Sequence, residues 1–251
     1  MGGAGDNDRV SLYRDEAIVL RTHKLGEADR IITLLTPNGI VRAVAKGVRR
    51  TTSRLGATLE PFMEVEAQLV MGRNLDIVSQ AQLRHAYGQL LVADYPSYTV
   101  ANAMVEIAEK LLEADSDSTL RQYRLLHGAL ALLSKLAVEP GAVLDSYILR
   151  ALSIAGWAPS FTSCVRCGKP GPHEALHVQL GGVVCADCRP SGSLSPHPVT
   201  IQYLQALLEG DWDAVALAGP RARKQAAEIV ANYLQWHLER AVKSLRHVER
   251  S

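Results

Sequence analysis

Four cysteines occur in the 251 residues, and they come as two pairs. Cys164 and Cys167 form one C-x-x-C, Cys185 and Cys188 the other, with 17 residues between them. Such a turn points both sulfurs into one small volume, and a second turn facing it completes a tetrahedron of thiolates around a zinc ion. Gly168 follows the first pair, a residue type that lets the turn close. Two other fates compete: four free thiols that bind nothing, or a redox pair. The regular spacing argues against the first. The absence of a βαβ pattern around either pair argues against the second. Four thiolates leave a tetrahedral zinc ion no position for water, so this zinc braces a loop and hydrolyses nothing. The surrounding segment, 160–198, is rich in Gly, Pro, Ser and Cys and poor in apolar residues. Its folding is therefore expected to depend on the metal.

Inside that segment His173-Glu174-Ala175-Leu176-His177 spells H-E-x-x-H, a metalloprotease signature. That chemistry needs both histidines on one face of a stable helix and an open metal position. Here Pro170, Gly171 and Pro172 precede the motif and Gly181-Gly182 follow it. At most about two helical turns fit, which is marginal without packing. The plainer expectation is a pair of surface or edge-strand histidines. No phosphate-binding GxxxxGK[ST], dinucleotide-binding GxGxxG or nucleophile-elbow GxSxG occurs, so nothing in the sequence supports an enzyme.

The hydrophobic pattern divides the rest. Glu16–Thr22, Asp29–Thr36 and Ile40–Lys46 are rich in β-branched residues, and Pro37-Asn38-Gly39 between the last two is a hairpin signal. Phe62–Met71 alternates Met63, Val65, Ala67 and Leu69 with Glu64, Glu66 and Gln68, a strand with one dry face. Leu75–Leu83 follows the turn Gly72-Arg73-Asn74. Five strands with a longer connection after the third predict a five-stranded OB-type barrel over 11–84. Beyond it lies helical pattern, 85–251, interrupted by the 160–198 insert. Ser97 is expected to cap Tyr98–Leu112, one of Asp115, Ser116, Asp117 and Ser118 to cap Leu120–Leu136, and Pro140-Gly141 to break the chain before Ala142–Ala155. Gly156 has the place of a helix stop, helix resumes at Thr200–Leu208, and a last helix spans Pro220–Val248. The fold class is α+β, and residues 1–10 are expected to be disordered. No run of 18 apolar residues would span a membrane, and no apolar leader opens the chain. A cytoplasmic, reducing setting fits thiols kept for metal.

The net charge is only +1, from 27 Lys and Arg against 26 Asp and Glu. Between Arg21 and Arg54, however, eight cations (Arg21, Lys24, Arg30, Arg42, Lys46, Arg49, Arg50, Arg54) face two acids, Glu27 and Asp29. The window is +6 and the remainder −5. An OB barrel presents ligands to strands two and three and the adjoining loops, so Arg30, Arg42 and Lys46 would line or flank that face. Charged loops are often merely solvated, but like-sign clustering favours a polyanion. Aromatic residues are only 5% of the chain. Affinity would then come from phosphate charge rather than base stacking, without sequence preference and with strong salt sensitivity. Arg240, Lys243, Arg246 and Arg250 at the far end read equally as a second contact or as favourable charges at a helix C-terminus.

The order of barrel, helices, four-cysteine insert and helices carries further motifs. These are Tyr13-Arg14-Asp15-Glu16-Ala17-Ile18-Val19-Leu20-Arg21, Leu25-Gly26-Glu27-Ala28-Asp29-Arg30-Ile31, Val44-Ala45-Lys46-Gly47-Val48-Arg49-Arg50 and Leu59-Glu60-Pro61-Phe62. Together they closely resemble the RecO family of bacterial recombination mediators, in its zinc-bearing, actinobacterial form, over nearly the whole chain after Val10. The resemblance implies binding of single- and double-stranded DNA, annealing of complementary strands, and no nucleotide hydrolysis. It implies loading of RecA, with RecR and RecF, onto DNA coated by single-strand-binding protein, and capture of that protein's acidic C-terminal tail by the helical part. It also implies a DNA role for Lys46, Arg49, Arg50 and Arg54. Some members of the family lack the cysteines, so the metal is not essential to the general activity. The competing classes are a zinc-ribbon adaptor that binds only proteins and a zinc hydrolase using His173, Glu174 and His177.

Overall fold

The computed structural model describes residues 11–112 and 118–238. The expectations for 1–10, for Asp115 to Asp117 and for Arg240, Lys243, Arg246 and Arg250 lie outside the described residues. The chain divides into two compact units, one ending at Gly88 and the other beginning at Gln89.

In the first unit five strands close a barrel. They are β1 (Leu12–Leu25), β2 (Asp29–Thr36), β3 (Gly39–Ala45), then, after a single helical turn α1 (Leu55–Thr58), β4 (Glu64–Val70) and β5 (Asp76–His85). The strand order is β1-β2-β3-β5-β4, with β4 returning to β1. All pairs are antiparallel except β3 with β5, the OB-type arrangement that the strand count predicts. Alternation fills the interior: Ala17, Val19, Ile32, Leu34, Ala43, Ala45, Val65, Ala67, Leu69 and Val78 form one buried cluster. The β2–β3 hairpin turns on Pro37-Asn38, where the Thr36 hydroxyl accepts the Asn38 N–H at 3.1 Å. β1 is longer than its apolar stretch because both neighbours hold it. Leu12–Ile18 pairs with β4 and Ile18–Leu25 with β2, across a bulge between Val19 and Arg21.

The short α2 (Tyr87–Leu91) runs across the boundary, and the second unit continues with α3 (Tyr95–Leu112), α4 (Thr119–Leu133) and α5 (Pro140–Ile154). Every residue of α5 from Gly141 to Leu149 is buried, the mark of a helix covered on all sides. Helices α3 and α4 pack on it. Two sequence expectations shift, and a third, a cap of α4 within 115–118, holds in position. Ser97 lies inside α3, and its N–H is accepted by Asp94 at 2.9 Å, so Asp94 is the cap. Pro140 opens α5 instead of belonging to a break. Glu139 accepts the N–H groups of Gly141 and Ala142, and proline suits a first turn whose amide has no helical partner. Ser118 stands at the start of α4 without a side-chain capping bond. Helix α5 ends as the sequence indicates. Gly156 takes a φ of +93°, and Trp157 N–H reaches back to Leu152 O at 2.9 Å.

The insert then forms a two-stranded ribbon, β6 (Ala175–His177) and β7 (Gly182–Val184). The unit closes with α6 (Pro198–Glu209), a short α7 (Trp212–Ala216) that the sequence pattern does not announce, and α8 (Pro220–His237). Helix α8 packs on α5 and α6. No helix is long and apolar enough to cross a membrane among the described residues.

Candidate metal centre and candidate nucleic-acid interface

The two C-x-x-C turns face each other. In the first, Cys164 N–H donates to Lys169 O at 2.9 Å and Gly168 N–H to Cys164 O at 2.8 Å. Gly168 takes a φ of +74° to close it. In the second, Cys185 follows β7 and Cys188 N–H donates to Cys185 O at 3.1 Å. Val165 N–H donates to Val183 O at 3.0 Å, clamping one turn to the strand that leads into the other. Gly182 lets Ser160 lie against the same strand, where Ser160 O accepts Val183 N–H at 2.9 Å. The φ of Gly182 is +152°, and a Cβ there would lie 2.0 Å from Ser160 O.

The four sulfurs all lie within 4.8 Å of one another, and Cys167 Sγ is 3.7 Å from Cys185 Sγ. The edge of a tetrahedron with metal–sulfur bonds of about 2.3 Å is about 3.8 Å. The donor set therefore fits one metal ion. Its charge pattern asks for one. The N–H of Cys185, with those of Cys167 and Arg166, stabilises the Cys164 thiolate and draws its pKa down. Hydrogen bonds to Cys185 and Cys167 hold the Cys188 proton on and push its pKa up. Four sulfurs this close cannot all ionise without a cation among them. The apolar support is small: Cys164, Ala175, Val184 and Cys185, with Val165 and Cys188 against them.

The histidines of the H-E-x-x-H motif are not brought together on a helix. His173 donates from Nε2 to Lys169 O at 2.8 Å. His177 stands at the end of β6, where its Nδ1 accepts Leu180 N–H at 3.3 Å. The geometry that the metalloprotease signature requires is absent from these residues.

On the barrel, cross-strand register gathers the cations. Arg21 of β1, Thr33 of β2 and Arg42 of β3 are lateral partners. Their neighbours Ile32, Leu34 and Ala43 point inward, so half-buried Arg21 and exposed Arg42 lie on the outer face, with Thr33 covered between them. From β3 the chain enters the loop 46–54, where Lys46, Arg49, Arg50 and Arg54 are all exposed. Buried Val48 anchors the loop. The β1–β2 turn holds it: Gly47 N–H donates to Asp29 Oδ1 at 2.7 Å, Arg49 N–H to Ala28 O at 2.9 Å, and Arg49 Nη1 to Gly26 O at 2.9 Å. Exposed Lys24 lies on the same turn-bearing end of β1.

Besides Arg49, two more charged residues of the window, Asp29 and Arg30, have structural duties the sequence does not reveal. Asp29 spends its carboxylate on the loop backbone. Arg30 is paired with Glu60 at 2.7 Å, and its side chain is only 23% exposed. Glu60 is 30 residues away, and no local pattern links them. The outer positions of β4 and β5 differ in kind. There Glu66 pairs with Arg84, and Glu64 lies 2.5 Å from His85. The unbalanced positive charge thus belongs to the β1–β2–β3 side and its loop.

The helical unit holds a further feature unseen in the sequence. A cavity of about 220 Å³ is lined by Leu125, Leu132, Tyr147 and Trp212, with Arg124 and Arg150 beside them. The Tyr147 hydroxyl is buried and has no hydrogen-bond partner among the described residues.

Comparison with known proteins agrees with this two-part construction. Residues 10–87 match the model described as Recombination protein O N terminal, and residues 92–246 that described as Recombination protein O C terminal. The chain is 54% identical over 243 residues to the DNA repair protein RecO of Thermobifida fusca (strain YX), covering 96% of this chain and 100% of that protein. It is 52% identical over 243 residues to the DNA repair protein RecO of Nocardioides sp. (strain ATCC BAA-499 / JS614), covering 95% and 100%. With both units matched and its relatives spanned from end to end, the chain belongs to the RecO family.

Proposed function

We propose that this protein acts in DNA repair and homologous recombination as a non-catalytic mediator. It binds single- and double-stranded DNA through the cationic side of its barrel, anneals complementary strands, and helps load a recombinase onto DNA covered by single-strand-binding protein. The carrying observation is the exposed basic loop Lys46, Arg49, Arg50 and Arg54, tied down by Gly26, Ala28 and Asp29 beside outer-face Arg21 and Arg42. A fixed loop holds its guanidinium groups at a surface without the ordering cost of a mobile one. Those groups suit phosphate oxygens, which carry no sequence information. Annealing is an electrostatic problem. Two polyanions repel, and a surface that neutralises phosphates lowers that repulsion and gains free energy from released counterions. Bases not stacked on protein remain free to pair.

Zinc is the metal that a closed set of four thiolates suits, and it supplies rigidity to the insert, with no role in bond cleavage. The cavity between Arg124 and Arg150 supports capture of an acidic peptide, the tail of single-strand-binding protein. Carboxylates would meet the guanidinium groups, and an apolar side chain would sit against Leu125 and Trp212. RecR and RecF are the further partners that family membership favours, in the cytoplasm.

The test is a strand-annealing assay on the triple variant Arg49→Glu, Arg50→Glu, Arg54→Glu. All three side chains are exposed, and Arg49→Glu removes one bond to Gly26 O while the backbone ties to Ala28 and Asp29 remain, so the variant is expected to fold with a melting profile close to that of the wild type and to lose annealing. Annealing at the wild-type rate would move the DNA site off this loop.

A further inference from the structure

The four sulfurs are unequal in access, and that inequality has a chemical consequence. Cys164 and Cys185 are buried, Cys188 is half-buried, and Cys167 is exposed. Exposed Cys167 is also the sulfur 3.7 Å from Cys185 Sγ. An accessible thiolate beside a second thiolate is the arrangement that turns a two-electron oxidation into a disulfide instead of an over-oxidised sulfur. The pair also joins the two turns to each other, since Cys167 belongs to the first and Cys185 to the second.

We propose that Cys167 and Cys185 form a peroxide-sensitive pair whose oxidation ejects the metal and loosens the segment between α5 and α6. This rests on the reading of the four cysteines as a metal site. In the first step Cys167 thiolate attacks one oxygen of a hydroperoxide and the O–O bond breaks. For hydrogen peroxide, RS⁻ and H₂O₂ give RSOH and OH⁻. In the second step Cys185 thiolate attacks the Cys167 sulfenic sulfur, the S–S bond forms, and hydroxide leaves. Two thiolates have lost two electrons, and one peroxide has become two hydroxide ions. Cys164 and Cys188 remain as a two-sulfur site, too few donors to retain the ion. Apart from the ion, the insert is held by backbone bonds that join Leu176 with Leu194 and Ser160 with Val183, and by buried Phe161, Leu176 and Val183. Its buried cluster contains two of the four cysteines themselves, and its ribbon is three residue pairs long. Loss of the ion should therefore be felt as local opening of 160–198 and not as unfolding of the barrel.

The experiment treats the full-length protein, its metal content measured beforehand, with hydrogen peroxide. It follows metal release with a chromogenic chelator and maps cross-links by peptide mass spectrometry. One ion per chain is expected to leave as a Cys167–Cys185 peptide appears, with faster hydrogen exchange confined to 160–198. The variant Cys167→His keeps a four-donor set but lacks the exposed thiolate, and is expected to retain its metal under the same treatment. Retention of metal by the wild-type protein in excess peroxide, or a linked Cys164–Cys188 peptide in place of the expected one, would overturn the proposal. So would metal loss from Cys167→His at the wild-type rate. Should that variant not fold, the cross-link map of the wild-type protein decides alone. A protein that carries no metal but still forms the Cys167–Cys185 bond contradicts the metal reading and leaves the thiol chemistry standing. Bound metal with no cross-link does the reverse.

Discussion

Single side chains carry duties that their residue types do not advertise. Asp94 accepts Ser97 N–H at 2.9 Å at the start of α3, and the nearby Ser97 side chain together with this N–H lowers its pKa. A carboxylate with a depressed pKa in the folded state stabilises the fold fully above the ordinary carboxylate range, and that contribution is lost as pH falls through the lowered value. Asn caps as well as Asp but does not titrate. Asp94→Asn is therefore expected to match wild-type stability near pH 7 and to show a shallower loss below about pH 4, read by denaturant titration at several pH values. Arg124 and Arg150 are candidates for a different duty, as anion-binding walls of the helical cavity. Replacing both by Ala is expected to weaken binding of a fluorescent acidic-tail peptide at least about tenfold, the loss of two charge-assisted contacts. Unchanged affinity would place the tail elsewhere. Arg30, by contrast, already has Glu60 as a partner. A half-exposed pair of this kind contributes at most about 1 kcal/mol to stability, and Lys46, Arg50 and Arg54, exposed on the loop, are better placed to hold phosphate.

Elements were legible in proportion to how local their causes are. The β2–β3 hairpin follows from Pro37-Asn38-Gly39, β4 from its two-residue alternation, and the stop of α5 from Gly156. The cysteine spacing was enough to bring four sulfurs together. What the sequence could not display depends on distant partners. The length of β1 comes from pairing with both β2 and β4. The cap of α3 lies one turn earlier than its apolar stripe suggests, because Tyr95 and Pro96 enter the helix without joining that stripe. Helix α7 is too short to show a period. Arg30–Glu60, Asp29–Gly47 and the cavity beside Tyr147 are tertiary facts. In the proposed reading the insert is the element that depends most on one interaction, an ion among its four sulfurs. Chelation is expected to accelerate hydrogen exchange in 160–198 while leaving β1 to β5 protected, since the barrel has its own closed ladder and apolar cluster. Equal loss of protection in both would contradict a locally acting ion.

At the scale of the whole molecule, a nearly neutral chain carries a +6 stretch within one unit. Charge alone would not distinguish a solubilising surface from a binding one. What does is organisation. One side of the barrel collects outer-face arginines and a fastened basic loop, while across β4 and β5 Glu66 pairs with Arg84 and Glu64 meets His85. Attraction that comes from phosphate neutralisation has a quantitative signature, a linear fall of log affinity with log salt whose slope counts the contacts, about −0.7 for each on a single strand. The most direct measurement is that slope for an unstructured oligonucleotide, with the wild-type protein and with the Arg49→Glu, Arg50→Glu, Arg54→Glu variant. A steep negative slope for the wild type, shallower by about 2 in the variant, is the predicted result. Affinity that does not change with salt, or the same slope in both proteins, would contradict it.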